Sequence, residues 1–374
     1  MATLQSSGGP LADVRVLDLS TVLAGPGAAR HLADFGADVI KVERAGVGDS
    51  SRNLGERDPA DGQTYFFKIA NRNKRFVELD LRDVDDQERL FELVETSHIL
   101  IENMRPGKLE ALGLSPDELH ARNPNLVIVR VTAFGQTGPY ATRPGFATLA
   151  EAMSGFAGLN GSADGPPTLP PVALTDEVTA IAAAFAAMVA LHSGVGQVVD
   201  VNLIESIMQI MGPTPALWLN EQFLQPRLGS GLTYSIPRGT YQTADGKWIA
   251  VSASADSVAA RVMDLIGLGG DERVATGEGW MGNRQLIDDR MSAWTAARTL
   301  DEALDGFSQA DAAAAAIYSM ADLAEDPHVV EREVFTEAEG FHMQNVIARL
   351  SATPGSVKWP GRPLGFDNHL LKPA

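Results

Sequence analysis

The 374-residue chain contains no cysteine. Disulfides, thiolate nucleophiles and thiolate metal sites are excluded at once, and a reducing compartment, the cytoplasm, is the expected setting. Basic residues are scarce: 30 Lys and Arg face 48 Asp and Glu, a formal charge of −18. With no basic run to offset that balance, neither nucleic acid nor an anionic membrane is expected as a partner. Long apolar runs are also missing. The longest, residues 178–191, falls short of the roughly 20 residues that span a bilayer and reads as a core helix. Residues 1–12 have neither a basic nor an apolar segment, so no signal peptide is expected. The seven histidines are scattered without metal-ligand spacing, and no metal site is expected. Neither a Gly-x-Ser-x-Gly elbow nor a phosphate-binding Gly-x-x-x-x-Gly-Lys loop occurs, which argues against serine hydrolysis and nucleotide hydrolysis.

What the chain does have is apolar material, 45% of its residues, enough for a large core divided between two domains. Residues 14–19 read as a strand, 26–35 as a helix closed by Gly36, and 37–42 as a second strand, an opening β–α–β unit. Gly25-Pro26-Gly27 lies in its strand-to-helix turn and invites a dinucleotide reading. Arg30 stands where the third glycine of that fingerprint belongs, and Pro26 fills the turn, so the reading is disfavoured. The alternation continues with strands at 76–81, 98–101 and 125–131, a helix at 84–96 and short helices from Pro106 and Ser115. This pattern predicts an α/β fold with an open, doubly wound, Rossmann-like sheet. Residues 145–175, rich in Gly, Ala and Pro, form a connection long enough to suggest function. A strand at 197–203 and a helix from Ile204 follow. From about residue 225 the texture changes: 239–252 is a hairpin turning at Asp245-Gly246, and helical segments occupy 255–267, 285–298 and 301–307. The expected division is a large domain of residues 1–224 plus 330–374 and a smaller α+β domain of 225–329. An alanine run at 312–316 is the one low-complexity tract.

Two features carry chemistry. Pro170-Pro171 holds the chain extended before Thr175-Asp176-Glu177, which opens the apolar helix that follows. Thr175 or Asp176 is placed to cap that helix, where the positive end of the macrodipole favours an ionised carboxylate. Asp176 is therefore either an anionic nucleophile or a plain cap. The second feature is a set of basic residues at strand ends. Arg44 follows the second strand, Lys74 and Arg75 precede the third, Arg82 follows it, and Asn103-Met104-Arg105 follows the fourth. Ligands of doubly wound sheets sit at the carboxyl ends of the strands, and Arg44, Arg82 and Arg105 there suit a multiply phosphorylated ligand or are three solvated surface arginines.

The segments 16–26 (Val-Leu-Asp-Leu-Ser-Thr-Val-Leu-Ala-Gly-Pro) and 36–44 (Gly-Ala-Asp-Val-Ile-Lys-Val-Glu-Arg) resemble the family III CoA-transferases. So do 73–81 (Asn-Lys-Arg-Phe-Val-Glu-Leu-Asp-Leu), 102–107 (Glu-Asn-Met-Arg-Pro-Gly) and 133–139 (Ala-Phe-Gly-Gln-Thr-Gly-Pro). Residues 164–167, 196–201 and 322–328 continue the match in order. That family includes formyl-CoA transferase, carnitine CoA-transferase and α-methylacyl-CoA racemase. The resemblance implies a large domain made from both chain termini, a small domain between them, and two protomers interlocked as rings. It implies that Asp176 is the nucleophile. It further implies CoA contacts at Arg44, Leu79, Asp80, Leu81, Arg82, Asn103, Met104 and Arg105, with Lys74 and Arg75 joining them, and a substrate pocket at Leu23, Ala24, Phe146 and Ala147.

Three departures from the family pattern matter. Gly145-Phe146-Ala147 replaces the racemases' Gly-His-Asp, and without the histidine a two-base racemase is disfavoured. Ala147 and Leu23 stand where formyl-type enzymes carry a carboxylate and a glutamine, which predicts a more apolar pocket. Ala111 replaces an arginine found in many relatives. The expected function is CoA transfer from an acyl-CoA to a free carboxylic acid, with covalent acylation of Asp176 and the oxyanion stabilised by backbone N–H groups around Gly155–Gly161. No tightly bound cofactor is expected, CoA and its thioesters being substrates. A homodimer is expected, with a hetero-oligomer as the variant; the rival function is a CoA-binding but catalytically silent subunit of such a hetero-oligomer.

Overall fold

The computed structural model describes residues 8–253 and 255–371. The first seven residues, part of the segment read as lacking a signal peptide, lie outside that description. The chain forms two compact units: one runs up to Phe156, then Pro170–Gly212, then from Val330 onward, and the other comprises Ala157–Leu169 and Pro213–Val329.

The large unit is built on six strands, β1 (Arg15–Asp18), β2 (Asp38–Arg44), β3 (Arg75–Leu79), β4 (Ile99–Glu102), β5 (Val127–Thr132) and β6 (Gln197–Asn202). They are all parallel, in the order β3-β2-β1-β4-β5-β6, so the chain reverses its direction of travel between β1 and β4. Its helices are α1 (Ala24–Asp34), α2 (Tyr65–Ala70), α3 (Val84–Glu95), α4 (Lys108–Ala111), α5 (Pro116–Arg122) and α6 (Ala147–Met153). After α7 (Phe156–Leu159) come α8 (Leu174–Ser193) and α9 (Leu203–Ile210).

Side-chain alternation along the strands decides which layer each residue joins. Val16, Ile99, Ile101, Val127 and Val129 pack with Ala28, Leu32, Ala183 and Ala187 of α1 and α8. Their neighbours Leu17, Leu100 and Ile128 pack on the other face with Leu90, Val94 and Leu119 of α3 and α5. Both faces are covered, which is why the middle strands carry consecutive apolar residues, Ile99–Ile101 in β4 and Val127–Val129 in β5. α1 and α8 touch through small residues, and a Cβ on Gly27 would stand 2.8 Å from that of Ala180. α8 is, among the described residues, the one helix long and apolar enough to cross a membrane by length and composition. Its Ala180, Ala183, Ala184 and Ala187 are buried in the core. The expectation of a core helix holds for that face only: Ile181, Phe185 and Val189, one turn apart, are 45%, 70% and 54% exposed.

The connection 145–175 contains α6 and α7. The smaller unit has α10 (Thr214–Glu221) and a three-stranded antiparallel sheet of β7 (Arg238–Gln242), β8 (Trp248–Ser252) and β9 (Ala314–Ala316). The β7–β8 turn is at Asp245-Gly246, with Gly246 in the left-handed region (φ 75°). α11 (Asp256–Leu265), α12 (Gly277–Gly282), α13 (Arg284–Ala296) and α14 (Leu300–Gln309) complete its core, and α15 (Met320–Glu325) and α16 (Pro327–Glu331) lead out.

The returning chain forms the hairpin β10 (Phe335–Ala338) and β11 (Phe341–Gln344), then runs along the free edge of β3. There Asp367 and Asn368 accept hydrogen bonds from the backbone N–H groups of Phe76 and Glu78, both at 2.8 Å. An edge strand that would otherwise expose unpaired donors is thereby closed by side chains from the C-terminal segment.

Candidate active site

At the carboxyl ends of β1, β2 and β3, beside the reversal point, lies a cleft of about 300 Å³. Ser20 and Thr21 line it after β1, Lys41 through Arg44 from β2, Leu79 through Arg82 from β3, and Met104 after β4. Its floor is an ion cluster with no exposure. Lys41 Nζ lies 2.9 Å from an Asp49 carboxylate oxygen and donates to the Ser20 carbonyl at 2.7 Å. Lys74 Nζ donates to Asp18 at 2.7 Å, the Pro26 carbonyl at 2.8 Å and Asn71 Oδ1 at 2.9 Å. Burial works against the Asp18 charge, but Lys41 and Lys74 hold its carboxyl below the ordinary range. Burial pushes Lys74 down to about 8 despite the pull of Asp18.

Of the expected CoA contacts, Lys74 has its ammonium fully enclosed and tied to three protein oxygens beneath the cleft. Arg75 stands at the amino end of β3, away from the cleft at the carboxyl end, and pairs with Asp38.

The walls are fixed in a different way. Asn103 accepts from the Thr21 N–H (2.8 Å) and donates to the Thr21 carbonyl (2.7 Å), clamping the β1–α1 turn to the end of β4. Between them Val22 adopts a left-handed φ of 70°, unusual for a β-branched residue, with its N–H held by Asp49 at 3.1 Å. Glu102 accepts from Arg130 (2.7 Å) and from the Met104 N–H (2.6 Å), which fixes the loop that presents Met104 to the cleft. Arg44 projects into solvent at the rim. Arg82, also exposed, is held in a two-point pair by Asp80 at 2.9 and 2.7 Å, and that pair holds the Asp80 carboxyl down at about 2. Arg105 and Asn103 flank Met104 without lining the cleft.

Asp176 occupies the first turn of α8, but neither it nor Thr175 caps the helix. The N-cap is Ala173, with no side-chain cap. Thr175 instead is fully buried and its hydroxyl donates to Glu151 Oε1 at 3.0 Å. The expectation that the helix end would favour ionised Asp176 is also reversed: burial, then the Glu151 and Glu177 carboxylates, push it up to about 6. A macrodipole contributes about 0.3–1 kcal/mol, too little against desolvation and two like charges. Glu177 has the opposite environment. Burial pushes it up, but His31 and Arg30 outweigh that and hold it low, Arg30 donating at 2.9 Å and His31 Nε2 lying 3.8 Å away. At pH 7 Asp176 remains mostly ionised while more basic than an ordinary aspartate, which suits a nucleophile.

Asp176 does not line the strand-end cleft, and neither do Leu23, Ala24, Phe146 or Ala147. Leu23 and Ala24 are buried at the start of α1, Phe146 is exposed before α6, and Ala147 opens that helix. The glycine stretch 155–161 is divided between the two units. The sequence reading missed Lys41, Asp49 and Glu151. A lysine inside an otherwise apolar strand, and a lone glutamate in the small-residue helix at 147–153, were the available signals. Among the described residues no group of three or more His, Asp or Glu is placed to hold a metal ion.

Residues 11–368 match the family model described as CoA-transferase family III. The chain is 39% identical, over 97% of its length and 93% of the relative's, to succinyl-CoA–D-citramalate CoA-transferase of Chloroflexus aurantiacus. It is 36% identical, over 95% of its length and 91% of the relative's, to the beta subunit of succinyl-CoA–L-malate CoA-transferase of the same organism. Among solved structures, a CaiB/BaiF family protein from Brucella suis matches with a TM-score of 0.86 at 28% identity, covering 97% of this chain and 98% of that one.

Proposed function

The chain belongs to CoA-transferase family III and is an enzyme that moves CoA between an acyl-CoA and a carboxylate, and from that premise we propose that Asp176 is its covalent nucleophile and a short dicarboxylic acid its acceptor. The observation that carries the reading is the environment of Asp176: a half-buried, basic but ionised carboxylate at the mouth of α8.

The Asp176 carboxylate attacks the donor thioester carbonyl, the C–S bond breaks, and CoA thiolate leaves behind an aspartyl–acyl anhydride. The thiolate then attacks the aspartyl carbonyl of that anhydride, releasing the donor acid and leaving an aspartyl-CoA thioester. The acceptor carboxylate attacks this thioester and expels CoA thiolate again. Attack of the thiolate on the acceptor's acyl carbonyl yields the new acyl-CoA and restores the Asp176 carboxylate. The thioester's energy stays in acyl intermediates throughout, and no proton needs to move.

Arg44 and Arg82 bind the CoA phosphates at the rim of the cleft, and Met104 and Leu79–Leu81 contact the less charged part of the molecule. Succinyl-CoA is the proposed donor and a hydroxy-dicarboxylic acid the proposed acceptor, on the strength of the relatives' names. The proposed assembly is an interlocked homodimer, supported by the uncovered apolar face of α8. The relative named as a beta subunit favours a second reading, a silent partner in a hetero-oligomer.

One experiment separates the two. Wild-type enzyme incubated with succinyl-CoA should carry CoA on the peptide containing Asp176, removable by hydroxylamine, and Asp176→Asn should lower turnover by several orders of magnitude. An active Asp176→Asn enzyme without adduct returns the chain to the silent-subunit reading.

A further inference from the structure

We propose that Glu151 is the positioning residue for Asp176, a fixed negative charge on α6 that favours the acylated state of the nucleophile over its free carboxylate. The inference rests on the reading of Asp176 as the nucleophile. Glu151 is 4% exposed, on a helix packed against α8, and its Oε1 accepts the hydroxyl of Thr175, the residue just before Asp176. Thr175 is itself wholly buried, so the bond fixes the glutamate in register with the first turn of α8 rather than leaving it to solvent.

The surrounding charges divide cleanly. On α8, Glu177 is the other anion acting on Asp176, but α1 supplies Arg30 and His31 against it. From β6, Asp200 accepts the Gln136 N–H, and from α9, Glu205 lies in the first turn, where its backbone N–H donates to Asn202. Neither is among the groups that act on Asp176. No described cation pairs with Glu151, whose carboxylate accepts the Thr175 hydroxyl, whereas Glu177 is paired with Arg30.

The chemical consequence follows from charge alone. Free Asp176 is an anion beside an anion, whereas the anhydride and the thioester on Asp176 are neutral. Acylation removes the repulsion with Glu151 in the same way that protonation does. A neighbouring charge therefore raises the proton affinity of Asp176 and its affinity for an acyl group by the same factor. Glu151 is 4% exposed, so little water stands around it to screen the interaction.

The test uses Glu151→Gln, whose amide oxygen still accepts the Thr175 hydroxyl while the charge is gone. Two readouts are taken on the full-length enzyme with succinyl-CoA: the acid limb of the kcat/KM pH profile, and the fraction of enzyme carrying hydroxylamine-sensitive CoA at equilibrium. The acid limb should move down by about one unit, and the adduct-to-free ratio should fall by the matching factor of about ten. Glu151→Asp keeps the charge at shorter reach and should move both readouts by less, again equally, which covers the case in which the Gln variant does not fold. Loss of activity with both readouts unchanged assigns Glu151 a purely structural role and overturns the proposal. A normal adduct in wild type with no shift in either variant sinks this inference and leaves the nucleophile standing; no adduct in wild type removes the nucleophile and this inference together.

Discussion

Arg44 and Arg82 stand on neighbouring strand ends yet differ in what a phosphate must displace. Arg82 is already held at two points by Asp80, while Arg44 acts on Asp80 only through space. Arg44→Ala should weaken CoA by about 1.5–3 kcal/mol, the range for a charged hydrogen bond. Asp80→Asn should tighten it, because Arg82 is released and a carboxylate facing the phosphates is removed. Titration calorimetry with CoA and with pantetheine distinguishes the sources: both effects should vanish with pantetheine, and equal effects on the two ligands would mean that the residues act through the fold. Asp176 carries a stability signature at the same scale. Its folded pKa, about 6, is raised from the ordinary 3.8. The folded state thus binds the proton more tightly, and this group's contribution is fully present below the unfolded value and lost as pH rises through the folded one. At pH 8 the ionised carboxylate costs up to about 3 kcal/mol. The inactive Asp176→Asn enzyme should therefore melt higher than wild type at pH 8, with the difference shrinking toward pH 4; a plain capping aspartate would give no such gain.

Packing between elements explains why some of the fold was legible in the sequence and some was not. β4 and β5 were readable because burial on both faces gives the apolar runs Ile99–Ile101 and Val127–Val129, and α3 and α5 because their polar faces and their Asp83 and Ser115 caps are local signals. β9 was not readable: Ala314–Ala316 has little strand propensity and is extended because it pairs with β8. The cleft was legible where Arg44, Leu79–Arg82 and Met104 follow strands. Lys74 and Arg75, which precede the third strand, lie off the cleft, and their partners Asp18 and Asp38 could not be read from spacing. The cap at Asp176 was misjudged because the buried Glu151 that engages Thr175 lies a full loop away in sequence. Gly25-Pro26-Gly27 shows a further limit: read as a strand-to-helix turn, it lies inside α1, where a Cβ on Gly27 would meet Ala180 of α8. Gly27→Leu should destabilise the large unit by about 1–3 kcal/mol or more through overpacking, read as an earlier urea midpoint at unchanged slope. A variant as stable as wild type would show that α1 and α8 separate without penalty.

At the scale of the whole molecule, the outer face of α8 and the charge of the chain point in different directions. A formal charge of −18 keeps copies apart, while Ile181, Phe185 and Val189 form an apolar stripe on a helix whose other side is core. A second copy covering that stripe must therefore be held by more than a small hydrophobic contact set against long-range repulsion. The proposed interlocked rings would meet that requirement topologically: such protomers separate only if one of them opens, so the dimer's lifetime would follow unfolding rather than surface affinity. Sedimentation from micromolar to nanomolar concentration should then show a dimer throughout, at low and high salt alike. Phe185→Asp, which places a charge in the stripe, should lower the yield of folded dimer rather than produce a stable monomer. A reversible monomer–dimer equilibrium at micromolar concentration, shifting toward dimer as salt screens the repulsion, would identify an ordinary docked interface and exclude the interlocked arrangement.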